Sequence, residues 1–281
     1  MLGKLLKHEW KTVWKVPVLL IVILMITAVL AGLTFALPIW DSEWVGLPLS
    51  GMMLILMFYF AMIAVTLGIQ IYFAVRYYKN MFTDEGYLTH TLPVTSRQLL
   101  LNKTITMSLW NLIAILSVVV SIFVFCSVMI LALAPKDSSF ARDLMEAVGA
   151  WPEALKSPYM DGFEGFCIGI LCMILVSAFS GSMMVIGAIT LGQMVRRHRI
   201  LGAIGAYIGF TFVIQIFTTV FLIPMMVKMS TSPYYDNAFE AQSPFPFMTP
   251  FYFLVTGVSL VVGIGLYFMS EYLIQHKLEL E

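Results

Sequence analysis

Side chains able to do acid–base chemistry are kept out of six long stretches of the chain. No Asp, Glu, Lys, Arg or His occurs in 17–38, 49–75, 104–134, 165–195, 200–227 or 249–270. The strongest polar groups there are Gln70, Asn111, Gln193 and Gln215, amides that more often bond to neighbouring helices than relay protons. Ion-coupled carriers need a carboxylate or histidine near the bilayer midplane to bind and release the coupling ion, so a self-powered carrier is not expected. A GxxxxGK[ST] phosphate loop is also missing, so the chain does not bind and split ATP by that route. Cys126, Cys167 and Cys172 fall inside apolar stretches, where a thiol behaves as a small hydrophobe, and their spacing suggests neither a disulfide framework nor a zinc site. Twenty Met residues would suit copper, with Met225, Met226 and Met229 close together, but no compact Cys/His/Met set is evident and Met also fills irregular apolar surfaces. His8, His90, His198 and His276 all sit at the margins of apolar stretches. No catalytic residue, metal site or bound cofactor is expected, and the chain is not read as an enzyme.

The elements that carry these residues follow from composition. Of 281 residues, 60% are hydrophobic and 11% charged, against about 25% charged in a soluble domain. Each of the six stretches exceeds the ~20 residues that a helix needs to cross the hydrocarbon of a bilayer. Transmembrane barrel strands would alternate apolar and polar residues, and these do not. The fold class is therefore an all-α membrane protein with six transmembrane helices, a single domain over 1–281. Basic residues collect on the cytoplasmic side of membrane proteins. Twelve of the 16 Lys and Arg lie in the N-terminus, 76–103, 196–199 and the C-terminal tail; the other three loops hold only Lys136, Arg142, Lys156 and Lys228. Both termini are thus expected inside. A net charge of zero suggests no nucleic-acid partner.

Before the first stretch, Leu2, Leu5, Leu6, Trp10, Val13 and Trp14 recur at helical spacing, opposite Lys4, Lys7, His8, Lys11 and Lys15. That pattern predicts a basic amphipathic helix in the membrane interface, with Lys4, Lys7, Trp10, Lys11 and Trp14 at the lipid headgroups and Pro17 marking the turn into the first span. Small residues four apart, at Gly165/Gly169, Ser177/Gly181 and Gly205/Gly209, allow close helix approach. An amphipathic helix is also expected over 140–148.

The inside segment 76–103 reads RYYKNMFTDEGYLTHTLPVTSRQLLLNK. Thr83 can cap a short helix whose first turn holds Asp84 and Glu85, favourable against the helix dipole, and Pro93 ends it. Tyr87, Leu88 and Leu92 offer an apolar side, and Asp84, Glu85 and His90 a polar one. About two turns are too short to be stable alone, so something must hold this helix. Thr95 and Gln98 form a capping box, with Val94 and Leu99 as a staple, which starts the third long helix at Ser96.

The opening MLGKLLKHEW and the stretch FTDEGYLTHTLPVTSRQLLLNK resemble membrane subunits of ATP-binding-cassette exporters, specifically type-2 export permeases of Gram-positive type. The resemblance implies a permease driven by a separate ATPase subunit, which alone binds ATP, and paired with a second permease subunit, identical or homologous. It implies that Asp84, Glu85, Gly86, Tyr87, Leu88 and His90 form a cytoplasmic coupling helix between the second and third spans that docks on the ATPase. It also implies a bacterial plasma membrane, a hydrophobic or amphipathic cargo such as a peptide, lipid or drug, and a short re-entrant segment before the last span. Pro233, Pro244, Pro246 and Pro250, with Phe239, Phe245 and Phe247, would suit that segment. The alternative is a membrane sensor or scaffold that borrows the permease architecture without transporting.

Overall fold

The computed structural model describes residues 2–37, 40, 46–83, 95–133, 138–195, 198–230 and 245–276. Among them the elements are α1 (Leu2–Val13), α2 (Lys15–Leu33), α3 (Gly46–Phe82), α4 (Ser96–Leu133), α5 (Ser138–Ala154), a 3-10 turn (Pro158–Met160), α6 (Phe163–Gly192), α7 (Arg199–Ser230) and α8 (Phe245–His276), with no strand. Six of these helices, α2, α3, α4, α6, α7 and α8, are long and apolar enough to cross a membrane. The chain is a multi-pass membrane protein.

Helix boundaries show what a charge-free run measures. The run gives the part that must lie in hydrocarbon, while the helix continues through Arg76 and Lys79 in α3 and through Arg97 and Lys103 in α4, because long basic side chains are good helix formers. Thus α3 has 37 residues and α4 has 38, roughly 55 Å each at 1.5 Å per residue. At the first span the correction runs the other way. The apolar run extends to Pro38, but α2 ends at Leu33 in a tightened turn, with Phe35 N donating to Gly32 O and Ala36 N to Leu33 O. The Thr34 hydroxyl takes up Ala31 O, and the Trp40 indole N–H donates to Thr34 O at 3.1 Å. α1 and α2 meet at Trp14, which keeps helical dihedrals, with Trp14 N donating to Trp10 O and Val18 N to Trp14 O; the interruption there fits Pro17, which has no N–H for the carbonyl of Val13, four residues back.

Prolines fail to break the last helix. Pro246 falls in its first turn, where a backbone N–H would have no partner anyway, and Pro250 lies within a helix that continues to His276. The expected break at these two prolines is therefore corrected; Pro233, Phe239 and Pro244 lie outside the described residues. The amphipathic helix expected over 140–148 is longer, 17 residues with Pro152 inside it.

The chain divides into two compact units. One combines Lys7–Ile71 with Leu112–Pro152. In it Phe125 of α4 stacks on Phe58 of α3, with ring centroids 5.3 Å apart, and meets Phe35 after α2 edge-on at 6.3 Å. Gly32 lets α2 lie against α4: a Cβ there would stand 2.8 Å from Val128 Cβ.

The other unit combines Met1–Leu6, Tyr72–Asn111 and Glu153–Glu281. Here α6 is the central helix, with buried Ala178, Met183, Ile186 and Ala188, and α8 packs along it. Gly165 faces Thr249, Gly169 faces Tyr252, and Gly187 faces Leu266, so the expected close approach at Gly165 and Gly169 is realised. Phe163, Phe166, Phe245 and Tyr252 form an aromatic cluster at one end of this pair. Gly162 starts α6 with φ +76°, a left-handed conformation that L side chains rarely adopt, while Pro246 leaves only 3.1 Å for a Cβ. Gly192 and Gly202 bring α6 and α7 close together: a Cβ on Gly192 would stand 2.6 Å from Ala203 Cα, and one on Gly202 3.0 Å from Gly192 O. In contrast, Gly205 and Gly209 have nothing within 4 Å of a Cβ position, and no described side chain of α7 is buried.

Candidate functional site

The segment expected to dock a partner, Asp84, Glu85, Gly86, Tyr87, Leu88 and His90, lies outside the described residues, as do Leu92, Pro93 and Val94. Its two roots are described, and both are packed. On the entering side Met81 and Phe82 are fully buried, and Phe82 meets the Tyr77 ring edge-on at 5.8 Å. The Thr83 hydroxyl, expected to cap the following helix, donates 2.6 Å back to Lys79 O and closes the end of α3. On the leaving side Thr95 caps α4: its hydroxyl oxygen accepts from Gln98 N at 3.3 Å, and Leu99 N donates to Thr95 O at 3.1 Å. Leu99 and Leu100 are buried directly after it. The start of α4 at Ser96 is where the capping residues predict it.

Behind these roots, two polar ties hold α3 and α4 to α6. The buried Tyr77 hydroxyl shares a hydrogen bond of 3.2 Å with Thr190 Oγ1, and Thr190 itself donates to Ile186 O. Further along α4, Asn111 Nδ2 donates to Ser182 Oγ at 2.8 Å, and Ser182 donates to Ala178 O. In an apolar surround such bonds leave neither partner facing hydrocarbon. Asn111 therefore does what an amide in a span was expected to do. Its partner Ser182 carried no distinguishing signal, because Ser and Thr recur all along α6.

In α1, Lys4, Lys7, His8 and Lys11 are exposed and Val13 is buried. Trp10 and Trp14, placed on the apolar side, are 36% and 45% exposed. Glu9, which the pattern left unassigned, is buried. Beyond α1, Arg97 Nε stands 3.6 Å from Glu271 Oε1. Cys126, Cys167 and Cys172 are free thiols, and no three His, Cys, Asp or Glu side chains converge among the described residues.

The Tyr77–Thr190 and Asn111–Ser182 bonds fix α3 and α4 against α6 beside the two roots. No family model matches the chain, and neither a curated protein nor a solved structure matches it.

Proposed function

We propose that this chain is the permease subunit of an ATP-binding-cassette exporter, worked by a separate ATPase subunit and paired with a second permease, identical or homologous. In this reading it sits in a bacterial plasma membrane with both termini cytoplasmic, α1 lies in the inner headgroup layer, and the cargo is hydrophobic or amphipathic: a peptide, lipid or drug.

The observation that carries the reading is the anchoring of both roots of the 84–94 segment. Met81 and Phe82 on one side and Leu99 and Leu100 on the other are buried, and the first helix turn after the segment is capped by Thr95. A pull on 84–94 would therefore act on two long continuous helices tied to α6 through Tyr77 and Asn111, instead of being lost in a loose loop. The lack of Asp, Glu, Lys, Arg and His in 17–38, 49–75, 104–134, 165–195, 200–227 and 249–270 supports an energy source outside the chain. In this mechanism the partner's closure on ATP moves the short helix, and the helices rooted beside it carry the motion into the bilayer.

The test is co-purification of the tagged chain from its native membrane. An ATPase subunit is expected to come with it, and Tyr87→Ala combined with Leu88→Ala is expected to weaken the association or the cargo-stimulated ATP hydrolysis. Full binding and full stimulation in the double variant would overturn the docking assignment. Recovery of a kinase with no ATPase would favour the sensor reading.

A further inference from the structure

Within the unit that contains α6, a cavity of about 430 Å3 opens between α4, α6 and α8, lined by Leu101, Thr104, Ile105, Ser108, Phe179 and Tyr267 among others. Such a volume lies within the ~300–1,000 Å3 typical of small-ligand sites. Its walls are almost wholly apolar: the hydroxyl oxygens of Thr104 and Ser108 are buried without a hydrogen-bond partner and recessed behind them. Beside the cavity Gly263 lets α8 close on α6, since a Cβ there would come within 3.1 Å of the Phe179 ring.

The rim is charged. Arg97, Leu101, Thr104 and Ser108 recur at helical spacing on α4, so Arg97 stands one to two turns beyond the cavity on the same face. On α8, Glu271 follows Tyr267 by one turn, and the Tyr267 hydroxyl lies in the field of both Arg97 and Glu271. Glu271 meets the Nε edge of Arg97 at 3.6 Å and is only 16% exposed, whereas Arg97 is 63% exposed, leaving guanidinium surface turned outward. An apolar slot among three spans, headed by an exposed cation near a helix start, matches a molecule with a hydrocarbon tail and an anionic head.

We propose that this cavity is a binding site for an anionic phospholipid, with one acyl chain between α4, α6 and α8 and the phosphate on the outward edge of Arg97. The Glu271 carboxylate opposes the phosphate but is held on the other side of the guanidinium. The site stands on the membrane-spanning fold alone and is independent of the exporter reading.

The test places the full chain in nanodiscs of equal phosphatidylglycerol and phosphatidylcholine, the phosphatidylglycerol bearing a photoreactive diazirine on one acyl chain. Crosslinks are expected to concentrate in the peptides holding 101–109 and 264–268. Native mass spectrometry is expected to show phosphatidylglycerol retained in preference to phosphatidylcholine. Arg97→Gln should reduce that preference about fivefold while leaving the crosslinked peptides the same, because one cation near an anionic headgroup is removed. Ser108→Phe should fill the slot and abolish the crosslinks; should that variant fail to fold, the crosslink map of the unaltered protein decides. Crosslinks spread evenly over all lipid-facing helices, equal retention of the two lipids, displacement by palmitate alone, or an unchanged preference in Arg97→Gln would each overturn the proposal.

Discussion

Asn111 and Tyr77 make the same kind of contact with α6 but differ in what their removal exposes. Replacing Asn111 with Leu deletes one hydrogen bond, while Ser182 keeps its bond to Ala178 O. The expected loss is about 0.6 kcal/mol and at most ~1.7, the range for such bonds between membrane helices. A double-mutant cycle with Ser182→Ala, read by unfolding in mixed micelles, should return that coupling; a coupling of zero would remove the tie from the account. Tyr77→Phe should cost no more, since its bond is longer at 3.2 Å, whereas Tyr77→Ala also removes a buried ring packed on Phe82 and should cost about 3–5 kcal/mol. The glycines sort in the same way. Gly32→Ala would put a Cβ 2.8 Å from Val128 and 3.1 Å from the Phe125 carbonyl, so helices must shift, at about 1–3 kcal/mol. Gly205→Ala and Gly209→Ala meet nothing within 4 Å and should be neutral or stabilising by up to about 1 kcal/mol in the same unfolding assay. Nothing in the sequence separates these cases. Gly165/Gly169 and Gly205/Gly209 share one spacing, and only tertiary placement decides which pair meets a neighbour.

At the scale of elements, the cap at Thr95 is legible and long-range packing is not; Thr83, read as a cap by the same rule, closes α3 on Lys79 O. Thr95 and Gln98 fix the start of α4 because a cap is a local bond over three residues. Thr95→Ala should therefore lower stability by about 1 kcal/mol, seen as a lower midpoint in the same mixed-micelle titration, with Thr95→Ser restoring it. α2 stops short of the end of the apolar run, which gives no stop signal where the terminating groups are Thr34 and the Trp40 indole. Prolines at the start of α8 read as breakers from sequence; Pro246 is harmless in a first turn, and Thr249 takes up the Phe245 carbonyl. For α1, Trp10 and Trp14 should be quenched by lipids brominated near the headgroup more than by lipids brominated at the chain end, measured in variants where the other tryptophans are Phe. Deep quenching would move α1 out of the interface.

For the whole molecule, the six spans could be read from charge-free length because in a membrane composition reports the surrounding solvent directly. The cavity between α4, α6 and α8 could not, because its lining comes from residues far apart along the chain. Orientation is open to experiment: single-Cys variants at positions 4, 79, 145 and 276 in a background lacking the three native thiols should divide into two classes. Positions 4, 79 and 276 should be shielded from an impermeant maleimide in intact cells, and position 145 should be labelled. Labelling at position 4 would reverse the topology. The close approach of Gly192 to Ala203 bears also on how the molecule is made, since it joins α6 and α7 across a short stretch of sequence. A nascent chain can complete that hairpin before the ribosome has supplied α8. Until then Gly165, Gly169 and Gly187 stand as an open notch on the growing protein, and it is the later arrival of α8 that closes it.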